Sequence, residues 1–195
     1  MLISTVYSGR SIKIAIKQLS PAKLILIVDK PINKTKELAV NEIKKFYNNV
    51  LEIETLQTSL YNIPEIMEKV IRVIDKEIKK ENEVLIHITE GRKTTSLALL
   101  FAGYTRKENI NGVYYVIEET NEILSLPLIK LEVGNSKKQL LKEISRGNGE
   151  IKKMEKKLKI KQSAVYQHVQ ELKDEGYLEK DKELKLTDLG RIMIL

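Results

Sequence analysis

The chain has 195 residues, with 34 Lys and Arg against 27 Asp and Glu, a formal net charge of +7. At 42% hydrophobic and 31% charged it has enough apolar sequence for a buried core, which excludes global disorder. It contains no Cys, which removes disulfide frameworks, thiol nucleophiles and Cys-ligated zinc and fits a cytoplasmic setting.

The run Leu2 to Tyr7 is short, apolar and β-branched and predicts a first strand. It lacks a basic segment and a long apolar stretch, so no signal peptide is expected. No later run reaches the roughly 18 apolar residues that predict a membrane span. Ser8-Gly9-Arg10 breaks the strand, and Ser11 to Leu19 predicts a helix capped by Ser11. Lys23 to Val28 is continuously apolar, as in a strand buried on both faces of a parallel sheet. Thr35 to Asn49 predicts an amphipathic helix and Leu51 to Thr55 a third strand. Asn62-Ile63-Pro64-Glu65 predicts a helix start with Asn62 as cap and Glu65 closing a capping box. That helix is expected to run to about Lys80. A fourth strand, Val84 to Ile88, leads through Thr89-Glu90-Gly91-Arg92-Lys93 into a helix from Thr94 to Tyr104. Gly112 to Ile117 and Glu122 to Leu126 read as a hairpin, because four residues between them cannot form a crossover helix.

Strand and helix alternating in this order predict an α/β fold with an open, mostly parallel, Rossmann-like sheet. The pattern changes near Val133-Gly134-Asn135, which places a boundary between residues 1–132 and 133–195. Beyond it come three predicted helices, Ser136 to Ser145, Glu150 to Leu158 and Lys161 to Glu175. A short β-hairpin follows, with Lys180-Asp181-Lys182 at its tip.

The charge follows this division. Residues 136–195 hold 15 basic and 10 acidic side chains, a net of +5, against 19 and 17, a net of +2, in residues 1–135. Ten of those basic residues fall within 137–161, beside only three acids. A cationic front on a three-helix unit with a hairpin suits neutralisation of DNA phosphates. Candidate phosphate contacts are Lys152, Lys153, Lys156, Lys161, Lys180 and Lys182. Gln162, Ser163, Tyr166, Gln167 and Gln170 occupy the predicted solvent face of the third helix, where short polar side chains read base edges.

In a parallel sheet, ligands bind beyond the carboxyl ends of the strands where the strand order reverses. Two loops suit that place. Ser8, Gly9 and Arg10 follow the first strand; Thr89, Glu90, Gly91, Arg92, Lys93 and Thr94 follow the fourth. Each leads into a helix N-terminus, and together they offer glycine turns, hydroxyls and positive charge to a phosphodiester. There is no Gly-x-Gly-x-x-Gly. Gly91-Arg92-Lys93-Thr94 lacks the P-loop glycine before the lysine, so ATP hydrolysis is not expected. His87 lies in an apolar strand and reads as a packing residue. His168 reads as a surface residue or a DNA contact. Two His and no Cys predict no metal site.

Residues 158–172 resemble the core of winged helix-turn-helix regulators, and Glu175-Gly176-Tyr177-Leu178-Glu179 and Leu186-Thr187-Asp188-Leu189-Gly190-Arg191 resemble the segments flanking their wing. With the Thr89-x-Gly91-x-Lys93 and Ser8-Gly9 loops, the whole resembles a CRISPR-associated Rossmann fold (CARF) domain joined to a winged helix. It is most similar to the archaeal transcriptional regulators of type I-A CRISPR loci. The resemblance implies a cytoplasmic homodimer in antiviral defence. It would bind a cyclic oligoadenylate effector, tetra-adenylate first among ring sizes, across the CARF pair, and double-stranded DNA through the winged helix, with no other cofactor. Ser8, Gly9, Arg10, Thr89, Glu90, Gly91, Arg92, Lys93 and Thr94 would carry over as ligand contacts. Two alternatives stay open. One is a metal-independent ring nuclease in which Ser8 orients the ribose 2′-hydroxyl and Lys93 stabilises the phosphate; the other is a regulator sensing a different nucleotide.

Overall fold

The computed structural model describes residues 1–129 and 133–195, which form two compact units, Met1–Lys130 and Leu131–Leu195. The expected boundary after residue 132 lies outside the described residues.

The first unit runs β1 (Leu2–Thr5), α1 (Arg10–Leu19), β2 (Lys23–Asp29), α2 (Lys34–Tyr47), β3 (Glu52–Thr58), α3 (Ile63–Ile78), β4 (Leu85–His87), α4 (Lys93–Thr105), β5 (Gly112–Val116) and β6 (Ile123–Leu126). The six strands form one sheet in the order β3-β2-β1-β4-β5-β6. All neighbouring pairs are parallel except β5 and β6, which form the expected antiparallel hairpin. The chain builds outward from β1 to β3, then returns to place β4 on the other side of β1. The strand order therefore reverses between β1 and β4.

Strand alternation divides the side chains between two faces. Leu2, Leu24, Leu26 and Val28 meet Ile12, Ala15, Ala39, Val40 and Ile43 of α1 and α2 in one core. On the other face the register aligns Ile3 with Ile25 and Ile86, and Ile86 lies against Gly103 of α4. There α3 packs along α4, burying Ile66, Met67, Val70 and Ile74. Covering both faces explains the continuous apolar runs of β1, β2 and β4. The edge strand β3 instead exposes Glu52, Glu54, Thr55 and Gln57.

Several local expectations shift. Ser11 does not cap α1. The cap position is Gly9, at φ 79°, and Ser11 lies within the first turn. Helix α2 starts two residues after the Lys30-Pro31-Ile32 segment, because the Asn33 side chain accepts from Lys36 N–H. Asn62 accepts from Glu65 N–H as expected, but the Glu65 carboxylate turns outward to Lys69 at 2.9 Å and leaves the capping box half-formed.

The second unit holds α5 (Asn135–Ser145), α6 (Ile151–Leu158), α7 (Gln162–Asp174) and α8 (Asp188–Met193). Leu140, Leu141, Met154, Val165, Leu172 and Leu178 are its buried centre. A three-residue turn joins α6 to α7, and the segment after α7 closes through one antiparallel bridge between Leu178 and Leu186. Among the described residues no helix is long and apolar enough to cross a membrane.

Candidate functional site

The turn between β1 and α1 and the turn between β4 and α4 lie side by side at the carboxyl edge of the sheet, where its order reverses. Glu90 locks them together. One carboxylate oxygen accepts from the backbone N–H groups of Tyr7, Ser8 and Gly9 at 2.9, 2.7 and 2.7 Å. The other accepts from Ser11 N–H at 2.7 Å and from the Ser11 hydroxyl at 2.9 Å. Burial pushes the Glu90 pKa up, but the hydrogen bonds from Gly9, Tyr7 and Ser11 outweigh it and leave the carboxyl below its ordinary range. The amides at the start of α1, expected to face a phosphate, are thus occupied by the chain's own anion. Ser8 Oγ accepts from Arg10 N–H at 3.3 Å.

Gly9 and Gly91 sit at φ 79° and 88°, backbone that glycine alone adopts cheaply. At Gly91 a Cβ would also come within 3.0 Å of Thr5 Cβ, so the β4–α4 turn lies directly against β1.

In β4, His87 is fully buried between two hydroxyls, Ser4 Oγ at 2.8 Å from Nδ1 and Thr89 Oγ1 at 2.8 Å from Nε2. Ser4 Oγ donates its hydrogen to Thr5 O, so it accepts from Nδ1–H. Thr89 Oγ1 accepts from Val116 N–H at 2.7 Å and donates to Nε2. This chain holds a neutral imidazole. Burial lowers the His87 pKa from 6.5 to about 4, with the Glu90 charge opposing only in part. His87 is a packing residue as expected, with the polar role of joining β1, β4 and β5.

Beyond Gly91, Arg92 donates through Nε to Asp29 Oδ2 at 3.2 Å and lies 5.6 Å above the Tyr61 ring. Lys36 Nζ reaches the same oxygen at 2.6 Å, and Lys36 and Asp29 are each 1% exposed. Thr94 Oγ1 donates to Leu60 O at 2.9 Å. The side chains of Thr89, Glu90, Arg92 and Thr94 are therefore committed within the protein, whereas Arg10 and Lys93 are exposed and make no ion pair among the described residues. Thr5 Oγ1, Asp29 Oδ1, Thr58 Oγ1 and Thr95 Oγ1 are buried without a hydrogen-bond partner there. The register puts Thr5, Asp29 and Thr58 on one face at the carboxyl edge.

A cavity of about 220 Å³ opens beside the turns, lined by Ser8, Arg10, Ser11, Ile14, Glu90, Val116, Glu118 and Asn121. The last two belong to the β5–β6 turn, which sequence reasoning read only as a connection. Gln18 of α1 donates to Asn121 O at 3.1 Å and ties that turn to the cavity. Hairpin length was the one signal in the sequence; the proximity of the turn to α1 is tertiary.

In the second unit, Lys152, Lys156, Lys161, Lys180 and Lys182 are exposed and without ion pairs among the described residues, while Lys153 meets Glu150 at 2.8 Å. On α7, Ser163 and Tyr166 are exposed and Gln162 is half-buried. Gln167 donates to Glu171 at 2.9 Å and Gln170 to Asp174 at 3.0 Å, so both amides are committed to carboxylates of their own helix. His168 is partly buried, with Nδ1 3.3 Å from Glu171. The hydrogen bonds of Gln167, Lys137 and His168 lower the Glu171 pKa to about 2. Lys157 and Arg146 serve the otherwise buried Glu143, tying α6 to α5.

A family model described as "HFX_2341_N:-like, N-terminal" matches residues 6–121, more than half of the chain and both turns of the site. An uncharacterized protein of Archaeoglobus fulgidus is 22% identical over 174 residues, 80% of this chain and 78% of that protein. Two solved structures align with this chain, the first of them at a level that shows a similar fold. One is a type III CRISPR defence DNA nuclease activated by cyclic oligoadenylate, with TM-score 0.52, 11% identity and 89% of this chain covered. The other is Can2 from Sulfobacillus thermosulfidooxidans in complex with cyclic tetra-adenylate, with TM-score 0.48, 14% identity and 99% of this chain covered. The chain spans 34% and 62% of their respective lengths, less than two thirds of either.

Proposed function

The chain belongs to the HFX_2341_N-like N-terminal family over residues 6–121, and from this premise we propose that it is a CARF-type regulator that senses a cyclic oligoadenylate and binds double-stranded DNA. The observation that carries the reading is the pair of unpartnered cations, Arg10 and Lys93, at the switch point of the sheet. Lys93 opens α4, whose first amides and dipole favour an anion, and Arg10 opens α1 on the neighbouring turn. The nuclease of similar fold, activated by cyclic oligoadenylate, supplies the ligand class.

The ring is held by a homodimer. One chain offers about 220 Å³, below the roughly 300–1,000 Å³ of a complete small-molecule site. A two-fold axis lets each copy present the same turns to half of a symmetric ring. Helix α4 is apolar on every side, with Leu97 44% exposed and Leu100, Phe101 and Tyr104 half-buried. An all-round apolar helix needs a second cover, and a second copy of α4 provides it beside Lys93. In calorimetric titration, cyclic tetra-adenylate is expected to bind one ring per two chains. Lys93→Ala is expected to weaken binding at least tenfold, the order of one lost charge-assisted contact. Equal binding by both proteins removes the proposed site, and a linear product on prolonged incubation establishes the ring nuclease instead.

The second unit is read as a winged helix-turn-helix in which α6 crosses the DNA backbone, α7 enters the major groove and residues 179–185 form the wing. Its exposed Lys152, Lys156, Lys161, Lys180 and Lys182 supply phosphate contacts. DNA affinity is expected to fall steeply with salt. Lys152→Ala and Lys156→Ala should each weaken all sequences alike and reduce the slope of log K against log salt by about 0.9. Fluorescence anisotropy across a salt series checks this; a flat series contradicts it.

A further inference from the structure

We propose that the cavity between α1 and the β5–β6 turn is a nucleoside subsite that takes a purine bearing an exocyclic amine and keeps phosphate out. The proposal rests on the oligoadenylate reading above and divides that site in two. The N–H groups of Tyr7, Ser8, Gly9 and Ser11 would make the α1 end a phosphate site, but all of them are consumed by Glu90. The cavity instead faces two carboxylates, Glu90 and Glu118, against one cation, Arg10. A phosphate entering there meets like charge in a partly enclosed space, which disfavours it.

The same lining suits a base. Ile14 offers apolar surface for its flat face, with the buried Val116 forming the floor beneath it. The carboxylate of Glu118 is an acceptor with no partner among the described residues and takes an amine N–H. The Asn121 side-chain amide is likewise uncommitted and offers the donor and acceptor pair that matches the N6 and N7 edge of adenine. Asn121 is held in place by its backbone, which accepts from Gln18 and donates to Ile117 O at 2.8 Å. The volume fits one nucleoside and leaves no room for a ring. The phosphates are then directed to Lys93 and the start of α4, and Glu118 and Asn121 determine which base is accepted.

Methyl resonances of Ile14 and Val116, followed by NMR in the full chain, test this with adenosine and with inosine, which replaces the amine by a carbonyl. Adenosine at millimolar concentration is expected to shift both methyl groups, with inosine at least tenfold weaker. Glu118→Ala and Asn121→Gly, both at exposed positions and the latter compatible with φ 60°, are expected to bring the two nucleosides within twofold. Unshifted methyls, equal binding of adenosine and inosine, or retained selectivity in both variants overturns the subsite. Adenosine binding without any binding of cyclic tetra-adenylate leaves the subsite standing and defeats the oligoadenylate reading; the reverse pattern defeats the subsite alone.

Discussion

Replacing Lys36 with alanine is expected to destabilise the first unit by about 3 kcal/mol, the lower end of what breaking a buried ion pair costs. Lys36 and Asp29 are each 1% exposed, and the 2.6 Å contact between them supplies most of the compensation for a carboxylate removed from water. Without Lys36, Asp29 depends on Arg92, whose Nε lies 3.2 Å away and whose side chain is 41% exposed. That residual partner keeps the loss from the upper end of the range and draws Arg92 further from solvent. The consequence reaches the site, because Arg92 immediately precedes Lys93 at the start of α4. Urea unfolding at constant slope measures the effect. A companion double variant, Asp29→Leu with Lys36→Met, is expected to recover most of the stability, since an apolar pair of similar volume needs no charge compensation. A loss below 1 kcal/mol in Lys36→Ala rules out the pair as the anchor of this edge.

Acid is expected to remove about 3 kcal/mol of stability through His87 alone. Its pKa falls from 6.5 in the unfolded chain to about 4 in the folded one, so the folded state favours the neutral ring. Each pH unit of that interval corresponds to about 1.4 kcal/mol. The contribution is complete above about pH 6.5, declines as the pH falls, and is gone below about pH 4. Protonating Nε2 would force the Thr89 hydrogen away from the ring and leave that hydroxyl to find another acceptor in a partly buried place. Because carboxylates titrate at the low end of the same window, the difference between wild type and His87→Asn isolates the effect. The variant's stability is expected to be flatter between pH 6.5 and 4.5; parallel curves contradict the assignment.

Much of the first unit is legible in its apolar patterning. The runs at Leu24 to Val28 and Val84 to Ile88 mark strands covered on both faces, since only such strands can afford no polar alternation. The four-residue connection after Ile117 forces an antiparallel hairpin, as found. Element ends were less legible. The cap of α1 depends on the positive φ of Gly9, and the start of α2 depends on whether Asn33 can reach an amide. Glu90 is the sharpest case. Its place in the Thr89-to-Thr94 loop suggested a ligand contact, and its carboxylate binds the backbone of another loop some eighty residues away in sequence.

Residue types and their spacing were enough to define an α/β sheet, to give most of the net positive charge, +5 of +7, to the last 60 residues, and to bring two glycine turns to attention. These follow from local rules: period, turn chemistry and charge count act over a few residues and leave a readable trace. The commitments of the side chains depended on the strand order. Only the order β3-β2-β1-β4-β5-β6 sets the turn after β1 beside the turn after β4 and places the β5–β6 turn against α1. That juxtaposition fills the α1 amides with Glu90, binds Arg92 to Asp29, and leaves Arg10 and Lys93 exposed. Hydrogen bonds between residues eighty positions apart leave no periodic mark in the chain, so the net charge of +7 suggests an anionic partner but does not reveal which cations are exposed.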